Sequence, residues 1–158
     1  MKNKFFLDQY NESSIFDSLQ NSIAQNQNIT LKGLVGSSLS FYFSKLIKGF
    51  SFQNFIIFKT KEESLYFLND IESLLQKEKI FFFPESKKDF YSDIKSNSYD
   101  LLQRTELIDF LNSKKEQSYI VVTYVRAICE NLIDKNEFKK RSIELNINQN
   151  ISFEGLNE

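Results

Sequence analysis

The sequence predicts an α/β domain, a parallel sheet with helices on both faces. Short apolar runs of strand length recur along the chain, and segments with helical periodicity of about 10–15 residues separate most of them. The only proline is Pro84, and no stretch rich in Gly or Pro divides the chain into two units.

In chain order, Glu12 to Ala24 carries Ile15, Phe16, Leu19 and Ile23 at helical spacing. Asn28 to Lys32 is short and apolar-leaning, with Gly33 after it, and reads as a strand. Ser38 to Lys48 returns to the helical period through Leu39, Tyr42, Phe43, Leu46 and Ile47, and Gly49 stands where a C-terminal glycine cap falls. Phe55-Ile56-Ile57-Phe58 is a run suited to a strand buried on both faces. Thr60 is placed to cap a helix with Glu62 and Glu63 in its first turn, and a stripe follows through Leu65, Leu68, Ile71, Leu74 and Leu75. Ile80 to Phe83 is a strand stopped by Pro84.

Glu85 to Tyr99 loses all periodicity and reads as a long loop. Asp100 to Leu111 is helical, Ser118 to Thr123 is the clearest strand, and a helix is expected from about Val125 to Ile133. Ile143, Leu145 and Ile147 alternate with polar residues across Ser142 to Ile147, as in a strand with one solvated face. Ile151 to Glu158 reads as the opening of a helix that the chain does not finish, which suggests a cut at a domain border. The organisation expected is a helical lead-in over 1–27, one α/β domain over 28–150, and the start of a connection to a further domain over 151–158.

At 158 residues the chain is long enough to bury roughly 70% of its unfolded surface in one domain. A net charge of −1 gives no global field toward nucleic acid or acidic membranes. The absence of histidine excludes Ser-His-Asp and Cys-His chemistry within the chain, and with one cysteine it excludes a Cys/His zinc site. No catalytic residue and no metal ligand is assigned. The lone Cys129 and the lack of an export signal point to a reducing, cytoplasmic compartment. No run reaches the ~20 apolar residues of a membrane span, so no membrane association is expected.

The most informative segment is Gly33-Leu34-Val35-Gly36-Ser37-Ser38-Leu39-Ser40, set between an expected strand and an expected helix, where a phosphate-binding loop belongs. The working pattern G-x-x-x-x-G-K-[ST] wraps phosphates in backbone N–H groups, neutralises them with lysine and holds magnesium with the hydroxyl. Gly33 matches the first glycine and Ser40 the hydroxyl, with Gly36 and Ser37 also in register. Ser38 stands where the last glycine belongs, and Leu39 replaces the lysine. Deleting the cation of a buried charge pair costs about 3–5 kcal/mol. Gly33, Gly36, Ser37, Ser38 and Ser40 are therefore read as a degenerate cofactor loop that does not function.

Several segments, taken in order, are similar to one family. They are Leu31 to Ser40, then Phe67-Leu68-Asn69-Asp70, Phe82-Phe83-Pro84, Leu101-Leu102-Gln103-Arg104-Thr105-Glu106-Leu107, and Ile120-Val121-Val122-Thr123-Tyr124 with Ala127-Ile128. From about Ile29 to Leu156 the chain resembles the N-terminal domain of the transcription-repair coupling factor, itself related to the UvrB protein of the excision nuclease. The resemblance implies a Rossmann-like three-layer domain of degenerate P-loop NTPase type. It implies an interaction and regulatory scaffold in transcription-coupled DNA repair, without catalysis of its own. The full-length family is an ATP-dependent DNA translocase, with ATP and Mg bound at a site outside this chain. Implied partners are the other domains of the parent protein and, through the full-length protein, excision-repair proteins, RNA polymerase and DNA.

Two other readings stay open. One is an active nucleotide-binding enzyme with a remodelled loop. The other is a DNA-binding module using Lys87, Lys88 and Lys95 with Phe90 and Tyr91, although Glu85, Asp89 and Asp93 offset that charge. Arg104 reads as a surface ion pair, and Arg126 as a residue of the sheet's carboxyl edge, where open α/β folds bind ligands. Thr123 and Tyr124 share that edge, the tyrosine packing with its hydroxyl exposed. Lys114-Lys115 and Lys139-Lys140-Arg141 read as solubilising clusters, and Cys129 as core.

Overall fold

The computed structural model describes residues 14–47, 53–86, 98–113 and 117–143. They form α1 (Ser14–Ala24), α2 (Ser38–Ile47), β1 (Gln53–Phe58), α3 (Lys61–Leu74), β2 (Ile80–Phe83), α4 (Ser98–Asn112), β3 (Tyr119–Tyr124), α5 (Val125–Ile128) and α6 (Lys135–Lys140). The expected α/β organisation is present as a three-stranded parallel sheet in the order β1-β3-β2, packed against helices.

Tyr119-Ile120-Val121-Val122-Thr123-Tyr124 is β-branched or aromatic throughout, and all six residues of β3 are buried. Its register pairs Ile56 and Phe82 with Val122, and Phe55 and Phe81 with Val121. Residues of one parity therefore share a side of the pleat across all three strands. On the even parity Phe58 meets Phe67 of α3 at 5.0 Å, and Phe67 also meets Phe43 of α2 at 5.5 Å. On the odd parity Phe110 of α4 meets Phe81 at 4.8 Å and Tyr119 at 5.4 Å.

Helix α3 begins as its sequence demands. The Thr60 side chain accepts a hydrogen bond from the Glu63 N–H, and the Glu63 carboxylate accepts one from the Thr60 N–H, a reciprocal capping box. Its buried residues are Ser64, Phe67 and Ile71, followed by Leu75. The expected stripe is thus rotated. Leu65 is exposed, because Phe67 buries the larger surface between Phe58 and Phe43.

Two expected elements are corrected. Asn28–Lys32 forms no strand; Ile29 and Leu31 are exposed, and the run is too short and polar to hold without a ladder. The helix expected to Ile133 stops at Ile128, and the chain turns at Cys129 and Glu130 before α6, which Asp134 caps by accepting from the Asn136 and Glu137 N–H groups. Ser142 and Ile143 are not in a strand, and 144–147 lie outside the described residues, as do Met1 to Tyr10, Gly49, residues 87–97, Lys114-Lys115 and the 151–158 tail. Among the described residues no helix is long and apolar enough to cross a membrane.

Thr60→Ala removes one half of the capping box and is expected to cost about 1 kcal/mol. Urea unfolding is expected to show a lower midpoint at unchanged slope. An unmoved midpoint contradicts a stabilising cap.

Candidate functional site

The segment Gly33 to Ser40 leads into α2. Gly33 and Gly36 take φ of 82° and 57°, the left-handed region where glycine carries no steric penalty. A Cβ at either would meet nothing within 4 Å, so conformation rather than room calls for glycine. The hydroxyls that follow are turned inward. Ser38 Oγ accepts from the Val35 N–H at 2.8 Å. Ser40, buried, donates to the Asp70 carboxylate of α3 at 3.0 Å. Ser37 is exposed, and Leu39 packs partly buried against the core.

A groove of about 390 Å³ lies between this loop and α3, lined by Gly36, Ser37, Leu39, Ser40, Phe58, Glu63, Tyr66, Phe67 and Asp70. Among the described residues its charged lining groups are both carboxylates, with no lysine or arginine. At an effective dielectric of 20, two like charges about 4 Å apart repel by about 4 kcal/mol. A polyphosphate would therefore meet repulsion where a phosphate loop supplies attraction. The hydroxyl in the magnesium-holding register, Ser40, is already committed to Asp70.

The carboxyl edge of the sheet is the second polar region, where Arg104, Arg126 and Lys61 each pair with a carboxylate and Lys59, just after β1, is exposed. Arg104 is buried rather than superficial, because α4 lays its guanidinium over the Phe83 ring at 4.2 Å. There it donates to the Pro84 carbonyl and pairs with Glu130 at 3.0 Å. Burial lowers its pKa from the ordinary arginine value, and the Glu130 charge opposes that shift. Glu130 also accepts from the Ser86 N–H and hydroxyl. Arg126 lies exposed just beyond β3 and pairs with Glu85 at 3.3 Å. Lys61, at the start of α3, pairs with Asp100 at 3.2 Å.

Thr123 and Tyr124 are both buried at this edge. Thr123 donates to the Phe83 carbonyl at 2.8 Å. The Tyr124 hydroxyl is not left to solvent but accepts from the Glu85 N–H at 3.0 Å. Burial raises its pKa above the ordinary tyrosine value, and the Glu85 N–H acts the other way. Cys129 is exposed rather than core, since the chain leaves helical geometry there to bring Glu130 to Arg104. Lys139, Lys140 and Arg141 are exposed on and just after α6, with Arg141 paired to Glu137. Lys87, Lys88, Phe90, Tyr91 and Lys95 lie outside the described residues.

Sequence reasoning missed Asp70, Glu63 and Tyr66 as groove residues and Glu130 as the partner of Arg104. The spacing of Glu63, Phe67 and Asp70 does place them on one side of α3. Nothing local marks Glu130, whose role exists only once α4 and the end of β3 are side by side.

Arg104→Met is expected to destabilise by about 3 kcal/mol, because it strands the Glu130 carboxylate and removes the cation over Phe83; denaturant unfolding checks this, and a loss below measurement contradicts it. Tyr124→Phe addresses pH. A folded pKa above the unfolded value means the fold holds the phenol proton more tightly. That stability is present below about pH 10, the unfolded tyrosine value, and is lost as pH rises through the folded pKa. The variant is expected to lose stability less steeply than the parent above about pH 10. Parallel curves contradict the assignment.

In comparisons with protein-family descriptions, curated proteins and solved structures, none matched this chain.

Proposed function

We propose that this chain is a non-catalytic interaction domain of the transcription-repair coupling factor type, a degenerate three-layer P-loop-like unit acting as a scaffold in transcription-coupled DNA repair. The observation that carries the non-catalytic part is the groove beside Gly36, Leu39 and Ser40, which holds Glu63 and Asp70 and, among the described residues, no cation. The family part rests on the ordered segments from Leu31 to Ile128 and on a sequence in phosphate-loop register before α2 that has Gly33 and Gly36 but lacks the lysine.

In this reading the domain packs on other domains of its parent protein and presents or restrains their partner surfaces. ATP and magnesium are used by the translocase part of the full-length protein, at a site outside this chain. Excision-repair proteins, RNA polymerase and DNA are met through that full-length protein. An enzyme with a remodelled loop is the reading to beat, and the acidic lining of the groove weighs against it.

Thermal unfolding with and without millimolar Mg-ATP separates the two. A ligand present at about a hundred times its dissociation constant adds about 2.7 kcal/mol, or roughly 5–10 °C for a domain of this size. The scaffold reading predicts no shift. A clear shift abolished by Gly36→Asp overturns it in favour of a nucleotide-dependent enzyme.

A further inference from the structure

We infer that the groove between the Gly33 to Ser40 turn and α3 is a binding site for an extended aliphatic dication, a free diamine or polyamine whose ammonium groups lie about 10 Å apart. Glu63 and Asp70 both line the groove and stand seven residues apart in α3. Seven residues fall within about 20° of two full turns, so both acids project from one side of the helix. Along the axis they are about 10 Å apart. Phe67 lies between them on the same side, and Phe58 and Leu39 line the groove with it. The acids are therefore separated by an apolar surface rather than gathered at one point.

Each end is prepared for a cation. Ser40, buried, donates to one oxygen of Asp70 at 3.0 Å and so fixes that carboxylate at the groove. The Glu63 carboxylate accepts from the Thr60 N–H at 3.4 Å. An ionised carboxylate accepts about four hydrogen bonds, so both keep capacity for an ammonium donor. Tyr66 and Phe58 add aromatic rings to the lining, and ring faces attract ammonium groups. The volume of about 390 Å³ is that of a small-molecule site.

Charge and spacing select the ligand. An anion meets two like charges and, among the described residues, no cation in the lining. A neutral apolar molecule would cover the carboxylates without replacing their hydration. One metal ion binds oxygens at about 2–2.6 Å and cannot hold two carboxylates rooted so far apart. Among the described residues no group of three side chains could hold a metal ion. A monoamine pairs with one end only. A dication with an aliphatic middle pairs with both and covers Phe67 and Leu39 with its methylenes. The inference rests on the charge and spacing of this groove and is independent of the family reading.

The test is a titration of the 15N-labelled protein with 1,8-diaminooctane, whose nitrogens lie about 11 Å apart when bonds of ~1.5 Å are fully extended. The amides of Ser37, Ser40, Phe67 and Asp70 are expected to shift and to saturate. Affinity is expected to exceed that of 1-aminooctane and of 1,4-diaminobutane about fivefold, the gain from a second, partly exposed ion pair. Glu63→Gln keeps the reciprocal cap, and Asp70→Asn keeps an acceptor for Ser40. Each is expected to abolish the diamine's advantage over the monoamine, and using both leaves one decisive if the other fails to fold. Unmoved groove amides overturn the inference, as does equal affinity for diamine and monoamine. So does a capped peptide with two lysines that binds more tightly than the diamine, because the occupant is then a polypeptide.

Discussion

Strand β3 is buried on both faces, and that single constraint arranges most of the molecule. A six-residue strand can lose all contact with water only if flanking strands satisfy its backbone and separate apolar surfaces cover its two sets of side chains. β1 and β2 supply the ladders in matching register. Phe67 of α3 and Phe110 of α4 then meet side chains of opposite parity. Once α3 lies along β1 and β3, Asp70 comes to the Ser40 hydroxyl and Glu63 to the rim of the same groove. The chemistry of the loop therefore follows from how the sheet is covered.

The same packing brings the charges at the carboxyl edge together in pairs. Arg104 pairs with Glu130, Arg126 with Glu85 and Lys61 with Asp100. Of these cations only Arg104 is buried, and separating it from Glu130 would leave an uncompensated charge. The groove at Gly36 to Ser40 adds two further carboxylates and an aliphatic side chain. Its glycine turn has two left-handed glycines and no charged side chain.

Much of this was legible in the residues. Period and composition gave the β1, β2 and β3 runs, the Thr60 cap and the helices α2, α3 and α4, because each is decided by local spacing. Leu39, an aliphatic residue within a helical period, packs partly buried against the core. What stayed hidden was set by distant partners. Asn28–Lys32 has strand-like composition, yet no described strand lies beside it, and a strand is defined by its neighbour. Cys129 and Arg104 were read the wrong way round because the helix expected from Val125 gives way at Cys129, freeing Glu130 to hold an arginine that would otherwise face water. The turning of Leu65 outward in favour of Phe67 likewise depends on two aromatic rings from other elements.

The proposed inertness of the turn before α2 toward triphosphates rests on the groove beside it, whose charged lining among the described residues is Glu63 and Asp70. The 31P spectrum of Mg-ATP, followed as protein is added, addresses it without any assumption about stability or turnover. Resonances that keep their positions and widths at millimolar nucleotide are the predicted result. Broadened, shifted β- and γ-phosphate resonances that return to free values with a Gly36→Asp variant would contradict it.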